Sequence, residues 1–220
     1  MSTQIMHRPG GLQKSEQQHD YILLDGSSSM QSGWWDSLDA IEAYVRGVRD
    51  AHIDSHIILQ TFDSQAPDCV QRDIPITQWK SLREEPVGAH WGMTPLYDAI
   101  NTMCRRLRDL DPPRCSIVIV TDGDENASQY TDLVQAKALL DWCRAKGWQV
   151  TFIGAQFDNA RQAALLGSSA ESAIGVSQKR LTDAAKSLAA KRARYGRTGD
   201  DMHFSEDERQ QFGGFLGHSK

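Results

Sequence analysis

Tyr21-Ile22-Leu23-Leu24-Asp25-Gly26-Ser27-Ser28-Ser29 is the stretch that decides how this chain folds. Four apolar residues end abruptly in a carboxylate, a glycine and a run of hydroxyls. A short apolar run closed by a turn signal has the pattern of a strand buried on both faces. Asp25, Ser27 and Ser29, at alternate positions, are all hard oxygen donors, the ligand class that suits Mg2+, Mn2+ or Ca2+ rather than zinc. A second junction repeats the theme: Ile117-Val118-Ile119-Val120-Thr121-Asp122-Gly123 is another apolar run ending in Asp-Gly. In an open parallel sheet, ligands bind at the carboxyl ends of strands where the strand order reverses. Two such strands side by side would bring Asp25 and Asp122 to one crevice.

The alternation continues outward from these junctions. Trp34 to about Asp50 places Leu38, Ile41, Val45 and Val48 on one face at helical spacing and is predicted as a helix. Ser55–Phe62 is predicted as a strand, and Asp68–Pro75 as a weaker edge strand. Thr94 reads as an N-cap with Pro95 at the first helical position, where its missing N–H is no loss. Leu96, Ile100, Met103 and Leu107 follow on one face, and Pro112-Pro113 separates them from the strand Cys115–Thr121. A helix over roughly Thr131–Lys146 stops at Gly147. Trp148–Ile153 is a strand, Asn159–Leu166 a short helix closed by Gly167, and Ala173–Val176 a last strand. This order predicts an α/β fold: a doubly wound, mostly parallel central sheet with helices on both faces and one antiparallel edge strand.

The ends read differently. Residues 1–19 are polar, with Pro9-Gly10-Gly11, and are expected to form a flexible N-terminal arm. Residues 20–195 form the expected domain, including a last helix over 178–195 with Leu181, Ala185 and Leu188 as its apolar stripe. From Lys179 to Arg197 there are seven basic residues against Asp183 alone. Two readings stand: a solvated face on a helix packed against the sheet, or a docking surface for an acidic partner or nucleic acid. Residues 196–220 read as a polar C-terminal tail, with Ser205-Glu206-Asp207-Glu208 as a capping box before a short helix.

Composition sets the outer bounds. A chain of 220 residues is long enough to bury one real core. Its net charge of −5 argues against nonspecific nucleic-acid binding. Cys69, Cys104, Cys115 and Cys143 lie far apart with no CxxC pair, which gives the expectation of free thiols in a reducing cytoplasm. Met1–Gly10 has no apolar h-region, and no apolar run approaches the roughly 20 residues of a membrane span. The expectation is a soluble cytoplasmic protein.

A third fragment, Gly92-Met93-Thr94-Pro95-Leu96-Tyr97-Asp98, completes a recognisable set. Asp25-x-Ser27-x-Ser29, then Thr94, then Asp122, resembles the von Willebrand factor A (VWA) family and its metal-ion-dependent adhesion site, with all five ligand positions present. The resemblance spans roughly residues 20–178 and is taken as the intracellular microbial or phage type. It implies that Ser27, Ser29 and Thr94 coordinate a divalent cation directly, with Asp25 and Asp122 acting mainly through water. Mg2+ is the expected ion, with Mn2+ and Ca2+ as alternatives. A shell of neutral hydroxyls leaves most of the ion's charge for an incoming Asp or Glu of a partner. The resemblance also implies a neighbourhood of partners: systems associated with AAA+ ATPases, or assemblies of phages and mobile elements. One departure is Ser28, where family members often carry glycine; a positive φ there would strain the loop.

Residues around the motif have two readings each. Asp124 and Glu125 tune the charge of the site or sit in a solvated loop. Asp98 favours the first helical turn through the dipole. His90 and Trp91 flank a binding rim or pack a loop, and Trp34 and Trp35 cannot both face the core. The resulting expectation is a metal-dependent protein–protein interaction module rather than an enzyme. The alternative is an assembly component that uses the same surfaces without metal. Phosphoryl transfer by Asp25, or by Mg2+ held on Asp25, Asp122 and Asp124, is disfavoured. The chain has no second Asp two residues after Asp25, no Gly-x-x-x-x-Gly-Lys loop and no Gly-x-Ser-x-Gly elbow.

Overall fold

The computed structural model describes residues 17–122, 124–154 and 158–212. Along the chain, β1 (Gln18–Asp25), β2 (Ser55–Phe62), β3 (Cys69–Pro75), β4 (Cys115–Val120), β5 (Gln149–Gly154) and β6 (Ala173–Gly175) build one sheet in the order β3-β2-β1-β4-β5-β6. All neighbours pair in parallel except β2 with β3, which is the antiparallel edge. The helices are α1 (Trp34–Asp50), α2 (Leu96–Leu110), α3 (Leu133–Ala145), α4 (Asp158–Leu165), α5 (Gln178–Thr198) and α6 (Glu206–Phe212). The expected doubly wound architecture is the one observed.

The period of two along β1 explains the layering. Ile22 and Leu24 pack with α1, α5 and α6 on one face, while Tyr21 and Leu23 pack with α2, α3 and α4 on the other. All four side chains are fully buried, so polar residues could not alternate along this strand. Helices α1 and α5 meet closely at Gly47, where an added Cβ would stand 2.6 Å from the Ala189 methyl. Only the missing side chain admits that approach.

At the amino end of β1, the fold buries a charge pair. Arg192 of α5 donates from Nε to Asp20 Oδ1 at 2.8 Å and from Nη2 to Oδ2 at 3.0 Å. Tyr44 donates to Asp20 Oδ1 at 2.5 Å, Ser55 donates to Oδ2, and Arg192 Nη1 reaches Gln18 Oε1 at 2.9 Å. Burial works against the guanidinium charge, but the Asp20 carboxylate overcomes it and holds the Arg192 pKa above its ordinary value. Every strong donor and acceptor of the pair is used, which such a buried pair requires.

The contacts of the basic run divide it in two. Arg192 is buried, Lys191 pairs with Glu208 at 2.7 Å, Lys186 with Asp183 at 3.4 Å and Arg194 with Asp200 at 3.5 Å. Arg197 donates to the Ala51 carbonyl at 2.7 Å. Lys191, Arg192, Arg194 and Arg197 thus tie α5 to neighbouring segments, while Lys179, Arg180 and Lys186 stay exposed.

The same contacts dock the chain after α5. Met202, Phe204 and Phe212 are buried in the α1–α5 core, and Ser205 and Glu208 form the expected reciprocal cap. Burial alone would raise the Glu208 pKa, but hydrogen bonds from Lys191, Ser187 and the Ser205 N–H together pull it down to about 2. A carboxylate whose folded pKa lies below its unfolded value of 4.5 stabilises the fold above that value and loses the contribution as pH falls towards 2. Protection of the amides in residues 205–212, relative to their intrinsic exchange rates, should therefore fall selectively between pH 4.5 and pH 2. In Glu208→Gln, part of that loss of protection should already be present at neutral pH.

Candidate functional site

The strand order reverses between β1 and β4, and the crevice there is built from three loops. In the first, register pairing of Leu24 with Val120 sets Asp25 beside Thr121. Asp25 is fully buried. Its Oδ2 accepts from the Thr121 hydroxyl at 2.6 Å and its Oδ1 from the Ser27 N–H at 2.8 Å. Burial pushes the Asp25 pKa up to about 6, against the hydrogen bonds from Thr121 and Ser27 that favour the carboxylate, while the nearby Asp122 adds to the rise. Ser27 Oγ lies 3.1 Å from Ser29 Oγ, and Ser29 Oγ donates to Asp122 Oδ1 at 2.7 Å. Ser27 is buried, whereas Ser28 and Ser29 are exposed.

The second loop runs from Gly88 to Pro95. Ser27 and Gly92 form a parallel bridge, Ser28 N–H donates to the Gly92 carbonyl at 2.9 Å, and Trp91 N–H donates to the Gly26 carbonyl at 3.1 Å. A Cβ on Gly92 would stand 2.5 Å from Ser64 Oγ and 3.2 Å from the Ser64 nitrogen, so this crossing needs glycine. The strain expected at Ser28 falls elsewhere: Trp91 has φ 62, and Ser28 is absent from the residues with positive φ. Trp91 stacks edge-on against buried Trp34, with ring centres 5.2 Å apart, which holds the loop over the start of α1. Trp35 is the exposed member of the pair and lies under the Arg83 guanidinium.

Asp63 anchors this loop and was not singled out from sequence. It follows the carboxyl end of β2 and is buried, accepting from the N–H groups of Gln65, Ala66 and His90 at 2.7–2.9 Å. The signal was available: Thr61-Phe62-Asp63 ends an apolar strand in a carboxylate, as at Asp25 and Asp122.

The third loop follows β4. Thr94 N–H donates to Asn126 Oδ1 at 2.8 Å and the Asn126 N–H donates back to the Thr94 carbonyl at 3.1 Å. Thr94 is not the expected N-cap, since Pro95 occupies that position and makes no side-chain cap. The cap comes from across the fold. Glu125 Oε2 accepts from Tyr97 N–H at 2.9 Å, and Ser128 Oγ accepts from Asp98 N–H at 3.1 Å. Glu125 also accepts from the N–H groups of Ala127 and Ser128 at 2.8 and 2.6 Å and from the Ser128 hydroxyl at 2.7 Å. Asp98 accepts from the N–H groups of Gln129 and Tyr130. Glu125 and Asp98 are thus spent on fastening the loop to α2.

Four of the five motif residues, Asp25, Ser27, Ser29 and Asp122, lie along one run of hydrogen bonds; Thr94 sits in the adjoining loop, buried. The fold is von Willebrand factor A-like. The vWF domain of the type V pili tip protein Mfa5 from Porphyromonas gingivalis superposes with a TM-score of 0.63 at 12% identity, over 84% of this chain and 97% of that one. Proximal thread matrix protein 1 from the mussel byssus gives 0.58 at 15% identity, over 80% of this chain and 46% of that one. Manganese-loaded TRAP protein of Plasmodium vivax gives 0.52 at 13%, over 76% and 71%. This VWA-like chain spans about half the length of the mussel protein. Identities this low carry the fold alone. No protein-family model and no curated protein sequence matches the chain.

Two expectations are corrected by these findings. The intracellular microbial or phage type, and with it the cytoplasmic location, is overturned because the solved structures that share the fold include a pilus tip protein and a byssus matrix protein, both extracellular. The complete metal-ion-dependent adhesion site is also not upheld. Among the described residues, no group of three or more His, Cys, Asp or Glu side chains is placed to hold a metal ion. The physical reason lies in the motif's own two carboxylates, since Asp122 accepts from the Ser29 hydroxyl. Both oxygens of Asp25 are likewise engaged within the fold.

Proposed function

We propose that this VWA-like chain is a protein–protein interaction module, an assembly component that meets its partner with the loop face at the carboxyl ends of β1, β2 and β4. The observation that carries this reading is the construction of that face. Asp63, Glu125 and Asp98 fasten its loops through hydrogen bonds to backbone N–H groups, and Met93, Ser28 and Ser29 stand exposed on it. A surface already rigid in the free protein loses little conformational freedom on binding, which raises affinity without added area. The pilus tip and byssus matrix proteins of similar fold support the class of partner, another protein of an assembly. Capture from an extract of the source organism tests it. A partner held by the wild type should be lost with Met93→Arg or Ser29→Arg and kept with Val134→Arg on α3. Retention by both face variants would remove the reading.

A second reading is favoured by the donor chemistry of the same loops. Ser27, Ser29 and Asp122 are oxygen donors in mutual contact at 2.7–3.1 Å, a set that fits a hard divalent cation. Ser27, Ser29 and Thr94 would hold the ion, Mg2+ before Mn2+ or Ca2+, with Asp25 and Asp122 acting through water. When bound, the cation would supply uncompensated positive charge for an Asp or Glu of the partner. In TRAP, a fold relative, the bound metal is manganese.

A ligand at 100 times its dissociation constant stabilises by about 2.7 kcal/mol, which for this size is a rise in Tm of roughly 5–10 °C. Mg2+ or Mn2+ at millimolar concentration should give such a rise, abolished by EDTA and by Ser27→Ala with Ser29→Ala. No shift with any of the three ions would leave only the metal-independent reading.

A further inference from the structure

Cys104 on α2 and Cys143 on α3 are separated by 39 residues in sequence, yet their Sγ atoms are 3.6 Å apart in the fully buried seam between the two helices. Both thiols are free, and a disulfide of about 2.05 Å would require the two sulfur atoms to close the remaining gap. The remaining thiols are placed differently. Cys69 lies partly exposed on the edge strand β3, and Cys115 is buried at the start of β4. We propose that Cys104 and Cys143 form a structural disulfide that staples α2 to α3 when the chain folds under oxidising conditions.

The location gives the bond a consequence. The loop it closes contains β4 and the segment carrying Asp122 and Glu125, and it ties in the helix whose first turn Glu125 caps. The staple would thus stiffen the frame of the proposed binding face from behind. Cross-linking constrains the unfolded chain more than the folded one, so the fold gains stability without new surface contacts.

Burial also fixes when the bond forms. The Cys143 contact and then burial hold the Cys104 thiol far above its ordinary pKa, so the reactive thiolate is scarce once the core has closed. Oxidation therefore belongs to the folding chain. With glutathione disulfide as oxidant, one cysteine thiolate attacks it and releases one glutathione. The second cysteine attacks the resulting mixed disulfide and releases the other. Two thiol protons leave, and two electrons pass to glutathione disulfide, which becomes two glutathione thiols.

The test is to refold the full reduced chain in a mixture of reduced and oxidised glutathione, then measure intact mass, non-reduced peptide maps and Tm. The expected result is loss of two hydrogens, a linked peptide pair containing Cys104 and Cys143, and a Tm higher than that of the reduced protein by roughly 5–15 °C. Cys115→Ala should keep the link and the shift, whereas Cys104→Ala and Cys143→Ala should lose both. The double variant Cys104→Ala with Cys143→Ala supplies the reference Tm, and the double variant Cys104→Ser with Cys143→Ser provides a second reference that keeps the side-chain size. Four alkylatable thiols after refolding, or a link through Cys69 or Cys115, would overturn the proposal. Folded reduced protein should oxidise far more slowly than the refolding chain, and equal rates would overturn the assignment to folding.

Discussion

Arg192→Met is expected to lower the stability of this protein by about 3–5 kcal/mol, because it leaves the Asp20 carboxylate buried without its cation. Both residues have fully buried side chains. Tyr44 and Ser55 still donate to Asp20 in the variant, which keeps the loss below that of a bare buried charge. The double change Asp20→Asn with Arg192→Met removes both charges and should recover more than half of the loss. Urea denaturation at neutral pH measures both. A loss under 1 kcal/mol in the single variant would show that α5 is held by its apolar face alone. The bond joins residues 172 positions apart, so it closes the fold between its first strand and last long helix.

Glu125→Ala is the second large effect. Its carboxylate accepts from the N–H groups of Tyr97, Ala127 and Ser128 and from the Ser128 hydroxyl. Hydrogen bonds to a charged acceptor contribute about 1.5–3 kcal/mol each when buried, and a lost helix cap costs about 0.5–2 kcal/mol. Glu125 is half-buried, so water replaces part of what is lost, and the expected net destabilisation is about 2–3 kcal/mol. Glu125→Gln retains an acceptor and should recover about half. The amides of residues 94–98 and 126–130 should exchange faster in the alanine variant while β1 and β4 stay protected. Uniform acceleration across the sheet would contradict the local role.

The contrast between these residues and the strands explains what sequence could reveal. Tyr21–Leu24 and Ile117–Val120 are apolar on both faces because the sheet covers them on both faces, so the pattern carries the topology. Helix α1 follows its expected limits because its apolar spacing is set by one continuous contact with the core. Thr94-Pro95 looked like a cap because cap rules are local, but Glu125, 28 residues from Tyr97, supplies the acceptor instead. The roles of Asp63, Asp98 and Arg192 likewise depend on which loops and helices meet, and no spacing rule encodes that. Composition pointed to a cytoplasmic protein through dispersed cysteines, yet two of them touch across α2 and α3. The oxygen-rich motif was legible as residue types; their use within the fold was not.

The most direct test of the binding face is amide hydrogen exchange on the chain alone and in complex with its captured partner. Added protection is expected in residues 26–29, 90–94 and 124–128, the three loops at the carboxyl ends of β1, β2 and β4. Protection confined to α3, α5 or the edge strand β3, with those loops unchanged, would contradict the account.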